Sequence, residues 1–144
     1  MQFTINKCHP LLNLIVCYRS PTCSLTQIQW DIITENTTKS KHNILLGDFN
    51  AHNTIWNCKK TDSNGEKFIN SIDKHNLFIH NDNSLTHIDK YRNTKSNIDL
   101  ILSSMDIAEK IDTNILDDNY GSDHYPILVT VNLDIYFYKK KPSS

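Results

Sequence analysis

Apolar positions recur along this chain in two rhythms, one of period two and one of helical spacing. Leu11 to Tyr18 is apolar almost throughout, which predicts a strand buried on both faces. Met1 to Ile5 predicts a shorter strand before it, the two joined around Lys7 to Pro10. Leu25, Ile28, Ile32 and Ile33 fall at helical spacing, so residues 25–36 read as an amphipathic helix with those four on its buried stripe. Ile44-Leu45-Leu46 predicts a buried strand that Gly47 breaks. Ser63 and Glu66 match a capping box ahead of a stripe of Phe68, Ile69 and Ile72. Leu77 to Ile79 predicts a short strand, and polar residues 81–96 a loop or hairpin. Asn97 to Leu102 alternates, with Ile98, Leu100 and Leu102 on one face and Asn97, Asp99 and Ile101 on the other. One or two helical turns over Ser104 to Ile111 and a strand over Thr113 to Leu116 follow. The last strand is predicted from Ile127 to Phe137, where apolar residues repeat at period two. Strands interleaved with helices, with no internal repeat and no linker, predict one α/β domain over residues 1–138 and a basic tail over 139–144.

Composition narrows the function classes. The 144 residues amount to one domain, with 38% hydrophobic and 22% charged residues, which excludes a wholly disordered chain. Fifteen basic residues against 16 acidic ones give a net charge of −1, which argues against a general cationic nucleic-acid binder but leaves room for a local basic patch. No apolar run approaches the ~20 residues of a spanning helix, and residues 17–21 make a poor signal-peptide cleavage site. The four cysteines, Cys8, Cys17, Cys23 and Cys58, form no C-x-x-C pair and read as free thiols of a reducing compartment. Cys8, His9 and Cys17 fit no common zinc spacing.

Three segments look like chemistry. Gly47-Asp48-Phe49-Asn50-Ala51-His52 follows a buried strand, where α/β sheets commonly bind ligands, and two residues apart on extended backbone Asp48 and Asn50 would face one side. The same residue types also make ordinary turns. Ser96-Asn97-Ile98-Asp99-Leu100 places a carboxylate inside an alternating strand. There Asp99 is either solvated or paired with a histidine or arginine, because an unpaired buried charge is costly. Gly121-Ser122-Asp123-His124-Tyr125-Pro126 offers an oxygen donor beside a group that titrates near neutrality.

Taken in order, these segments resemble the endonuclease/exonuclease/phosphatase family, which includes deoxyribonuclease-I-like enzymes and apurinic-site endonucleases. The finer resemblance is to the endonuclease domain of jockey-type non-LTR retrotransposons. It rests on Tyr18-Arg19-Ser20-Pro21, Gly47 to His52 with Trp56, Asn64-Gly65, Asn81-Asp82 with Thr86-His87, Ser96 to Leu100, and Gly121 to Ile127. Two departures stand out. The family's first strands carry an asparagine and a metal-binding glutamate, and none of Glu35, Glu66 and Glu109 follows a buried strand as that ligand would. The domain is therefore expected to be truncated at its amino-terminal side. Asn57 also stands where the retroelement pattern has glycine.

The resemblance implies a partial four-layer α/β sandwich of the deoxyribonuclease-I-like fold and a phosphodiesterase using Mg²⁺, with Mn²⁺ as an alternative. Asp48 would orient and deprotonate the attacking water, and Asn50 would hold the water or a phosphate oxygen. Asp123 would contact the metal, through water. His124 would stabilise the transition state or act as acid or base, and Asp99 would hold His124 in one tautomer. Tyr18 would contact the scissile phosphate, while His52 and Trp56 would shape the site wall or pack. Lys90, Tyr91, Arg92 and Lys95 would meet DNA from a hairpin, unless that hairpin is an ordinary solvated loop. The leading expectation is a DNA-nicking domain of a larger polyprotein with reverse transcriptase, intracellular and working in the nucleus. The alternatives are an inactive relic or binding fragment of the same fold, and another phosphatase or exonuclease of the family. Without the upstream asparagine and glutamate, little Mg²⁺-dependent nicking is expected of the chain by itself.

Overall fold

The computed structural model describes residues 2–5 and 11–134. Cys8, His9, the end of the predicted last strand and the basic tail lie outside them. Nine strands and two α-helices are described: β1 (Gln2–Ile5), β2 (Leu12–Tyr18), α1 (Gln27–Asn36), β3 (Asn43–Asp48), α2 (Ser63–Lys74), β4 (Leu77–Ile79), β5 (His87–Asp89), β6 (Thr94–Ser96), β7 (Asp99–Ser104), β8 (Ile111–Ile115) and β9 (Ile127–Val131). Short 3₁₀ turns cover Thr54–Trp56 and Met105–Lys110.

A five-stranded sheet in the order β1-β2-β3-β7-β4 forms the middle layer, with β2 and β3 parallel and the other pairs antiparallel. The parallel pair requires a crossover, and α1 supplies it. Because side chains alternate along a strand, the sheet feeds two cores. Leu45, Leu100 and Leu102 join Trp30 of α1 and Phe68 and Ile72 of α2 on one face. Ile44 and Ile101 point the other way, against Ile107, Ile111 and the β8–β9 pair. Helices, central sheet and two-stranded sheet thus make three layers of an α/β sandwich.

The first core is centred on aromatic rings. Phe68 stacks on Trp30 at 4.3 Å, and the rings of Phe49 and Trp56 lie 4.6 and 6.0 Å from it. All four side chains are essentially inaccessible. This cluster corrects the expected stripe of α1. Trp30 and Thr34 turn inward with Ile33 partly covered, while Ile28 and Ile32 face out. Burying an indole removes more apolar surface than burying either isoleucine, so the tryptophan sets the rotation of the helix.

Four further expectations change. β2 is half-buried, not buried throughout: Ile15 and Cys17 pack on one core and Leu12 and Leu14 on the other, but Val16 keeps 37% exposure. Gly47 does not break its strand. It lies inside β3 at φ 147°, where a Cβ would stand 1.8 Å from the Cys17 carbonyl oxygen, so glycine lets β2 and β3 close up. The N-cap of α2 is Asp62, whose carboxylate accepts from Gly65 N at 2.7 Å; Ser63 is one residue inside the helix and Glu66 sits in its first turn. The capping box is found at α1 instead, formed by Thr26 and Gln29. β9 ends at Val131.

Candidate active site

Sheet register assembles the first part of the site. Tyr18 at the end of β2 pairs with Asp48 at the end of β3, and Asp48 pairs across to Asp99 at the start of β7. Residues as far apart in the chain as Tyr18 and Asp99 thereby stand in a row along one end of the sheet. Tyr18 is largely exposed there, and the two carboxylates are half-buried.

The second part arrives on the loop before β9. Thr86 to Ile88 holds that loop by backbone bonds: Ile88 N donates to Asp123 O at 2.8 Å, and Tyr125 N to Thr86 O at 2.7 Å. His124 consequently lies against Asp99, with Nδ1 2.8 Å from Asp99 Oδ2. A carboxylate only accepts, so Nδ1 carries the proton and Nε2 is left facing Asp48 Oδ2, 3.9 Å away. Thr86 Oγ1 accepts from the backbone N–H groups of Ile98 and Asp99, tying the carboxylate and the histidine loop to one fully buried hydroxyl.

The electrostatics follow from this crowding. Burial and the neighbouring Asp99 charge hold the Asp48 carboxyl above its ordinary range, against the opposing hydrogen bond from Asn50. Burial by itself would depress His124, but the Asp99 hydrogen bond and the charges of Asp99, Asp48 and Asp123 outweigh it and raise the imidazole. Asp123 is lowered, chiefly by a backbone hydrogen bond. Two half-buried acids around one imidazole are a surplus of negative charge, and their oxygen donors fit a hard divalent cation.

The other expected site residues are distributed unevenly. Asn50 is not on extended backbone; it has φ 46°, its N–H donates to Asp48 Oδ1, and its side-chain amide donates to Arg19 O at 2.8 Å. Asp123 clusters with His87 and His124 and not with the two carboxylates, its Oδ2 3.7 Å from His87 Nε2. Trp56 is a core residue and not a wall, since only 1% of it is exposed and its indole N–H donates to Ala51 O at 3.0 Å. His52 bonds Asp62, the α2 cap, through Nδ1 at 3.0 Å. Lys90, Tyr91, Arg92 and Lys95 are all exposed around the β5–β6 hairpin, Tyr91 completely. An open groove of about 480 Å³ runs between that hairpin and Gly121 to Asp123. Asn57 adopts φ 63°, a left-handed conformation that asparagine tolerates and that explains the glycine of the retroelement pattern. None of the three glutamates joins the clusters at the site.

Sequence reasoning missed the residues that brace this arrangement. Arg19 is 4% exposed and donates to the carbonyls of Phe49, Asn50, Ser20 and Cys23, clamping the turn after Asp48. Asn81 donates to Asp99 O at 2.8 Å and accepts from Ile101 N, fixing β7 from its edge. Both lie inside segments that carried the resemblance, which was the available signal.

The family profile described as Endonuclease-reverse transcriptase matches residues 12–128. Among solved structures, the chain is similar to the endonuclease domain of TRAS1, a telomere-specific non-LTR retrotransposon, with a TM-score of 0.78 and 23% identity over 90% of this chain and 60% of that one. It is also similar to the Xenopus laevis APE2 catalytic domain (TM-score 0.65, 20% identity, 96% and 56% coverage). The 3′ phosphatase NExo from Neisseria, bound to product DNA hairpin, gives a TM-score of 0.64 at 18% identity over 85% of this chain and 62% of that one. This chain therefore spans about 60% of the length of the structures it resembles. No curated protein matches it. With most of its length inside one profile and this sheet beneath the site, the chain belongs to the endonuclease-reverse transcriptase family, on the deoxyribonuclease-I-like endonuclease/exonuclease/phosphatase fold.

Proposed function

We propose that this chain is a DNA-nicking phosphodiesterase, the endonuclease domain of a non-LTR retrotransposon polyprotein that acts on nuclear DNA. The observation that carries this reading is His124 held between two carboxylates, at 2.8 Å from Asp99 and 3.9 Å from Asp48. Phosphodiester hydrolysis needs a base for the attacking water and positive charge for the phosphoryl oxygens. Asp48, raised above its ordinary range, is suited to accept a proton from water. His124, raised and held in one tautomer by Asp99, supplies the positive charge or returns the proton to the leaving alkoxide. Tyr18 stands beside Asp48 with its ring free to meet a phosphate. Asn50 steadies Asp48 and the Arg19 segment. Mg²⁺, or Mn²⁺ in its place, would be held through water molecules by the carboxylates of Asp48, Asp99 and Asp123; when bound it neutralises charge on the phosphoryl oxygens. Lys90, Arg92 and Lys95 would contact DNA phosphates, with Tyr91 on sugar or base edges.

The test is relaxation of supercoiled plasmid, with EDTA and His124→Ala as controls. No glutamate joins the site, so nicking by the 144-residue chain is expected to be slow. Slow relaxation that EDTA and His124→Ala both abolish supports the reading. Relaxation that persists in His124→Ala overturns it. The absent glutamate also favours a second reading, a non-cleaving DNA-binding domain, which predicts salt-dependent duplex binding with no relaxation at all.

A further inference from the structure

His124 belongs to a second cluster as well, with His87 and Asp123. One ring nitrogen of His87, one of His124 and one carboxylate oxygen of Asp123 lie within 4.8 Å of one another. The rings of His87 and His124 are 4.6 Å apart and tilted by 52°. They are brought together by a backbone bridge between the two residues, so the pairing is built into the fold and does not depend on side-chain wandering.

Each imidazole is anchored at its inner nitrogen. His124 Nδ1 is held by Asp99 at 2.8 Å, and His87 Nδ1 by Ser96 Oγ at 3.3 Å. That leaves both Nε2 atoms as the outward ends. His87 Nε2 and Asp123 Oδ2 face each other at 3.7 Å, too far for a hydrogen bond. An imidazole whose far nitrogen is fixed by a carboxylate or hydroxyl is the usual arrangement of a metal-bound histidine. Two imidazoles and one carboxylate form a donor set suited to zinc with a water in the fourth position, and not to Mg²⁺, which takes oxygen ligands.

We propose that His87, Asp123 and His124 form a binding site for Zn²⁺, separate from the carboxylate pair of Asp48 and Asp99. Zinc–ligand bonds of about 2.0–2.1 Å put tetrahedral ligand atoms ~3.3 Å apart. Closing the cluster therefore asks for shifts of roughly 1 Å, which the 62%-exposed Asp123 side chain can make. A zinc ion here would occupy the outward nitrogen of His124, so its binding would withdraw that ring from any other chemistry. Metal capture itself does not require the site to cleave phosphodiesters.

Co²⁺ is the spectroscopic probe, titrated into the full 144-residue chain above neutral pH. A saturable visible d–d absorption that Zn²⁺ abolishes is expected. His87→Gln and Asp123→Asn should each weaken binding at least ~10-fold, while Asp48→Asn should leave it in place. Asp123 is exposed, so its variant reports even if the His87 variant folds poorly. The inference is overturned by any of three results: no saturable absorption in the native chain, absorption unchanged in Asp123→Asn, or loss in Asp48→Asn with retention in the His87 and Asp123 variants. A thiolate charge-transfer band would also overturn it, by placing the metal on cysteine.

Discussion

Single residues fix the chemistry by what they force on their neighbours. Asp99 is the example at the site: one carboxylate oxygen sets the tautomer of His124 and raises its affinity for a proton. Asp99→Asn should therefore lower the His124 pKa, read by NMR titration of the imidazole, and reduce any nicking rate by roughly 10²–10³. The sign is definite. A histidine raised in the folded state adds stability below its ordinary pKa, and that stability is lost as pH rises through the raised value. In Asp99→Asn this dependence should weaken, and unchanged titration would show that the short contact carries no charge coupling. Gly47 acts through space instead of charge. With a Cβ placed 1.8 Å from a backbone oxygen and φ at 147°, Gly47→Ala must push β2 away from β3. The expected loss is about 3 kcal/mol in urea unfolding, and the Tyr18–Asp48 register should be disturbed with it.

Elements add couplings that no residue has by itself. Asp31 on α1 accepts from Lys74 at 2.6 Å and from Ser71 at 2.5 Å, both on α2, and from Gln27 on its own helix. Those hydrogen bonds hold its carboxyl below the ordinary range. A carboxylate lowered on folding adds stability above its ordinary pKa, and the gain disappears as pH falls through the folded value. Asp31→Asn should lower the neutral plateau of thermal stability and flatten the acid limb by the same amount, a small one because the pair is exposed on its lysine side. The β5–β6 hairpin makes the other element-scale prediction. Replacing Lys90, Arg92 and Lys95 together by alanine should weaken duplex binding and reduce its salt slope by about 2–3. A slope that stays the same would make the hairpin a solvated ornament of the fold. Arg92 should contribute least of the three in charge terms, since Asp89 lies 3.8 Å from it.

At the scale of the whole molecule, the aromatic cluster joins both helices to the loop that follows β3. Phe49 sits between Asp48 and Asn50 in sequence and within 4.6 Å of Phe68 in space. Phe68→Ala should cost about 3–5 kcal/mol, read by denaturant unfolding. The damage should reach the site because Phe49 would lose its packing partner. Unfolding and the Asp48 environment should therefore respond together; a large loss of stability with the His124 titration unmoved would show that the two halves are energetically separate.

How much of this was legible differs from residue to residue. The alternation of Asn97 to Leu102 was enough to sort Leu100 and Leu102 from Ile101, because the period of a strand is a property of its backbone. The ordered motifs were enough to single out Asp48, Asp99 and His124, which the fold brings together. The rotation of α1 was not legible, since Ile28 and Trp30 both satisfy a helical period and only the aromatic partners Phe49 and Phe68 decide between them. Nor was the structural use of Arg19 and Thr86, whose hydrogen bonds end on backbone groups far away in the chain. The sequence by itself determined the element types and the family, and it nominated the members of the candidate site. Tertiary structure decided which members touch: the sheet register set Asp48 beside Asp99, and the pairing of Thr86 to Ile88 with the histidine loop turned Asp123 toward His87. Register and loop docking are contacts between distant segments, and local sequence pattern carries no information about distance across the fold.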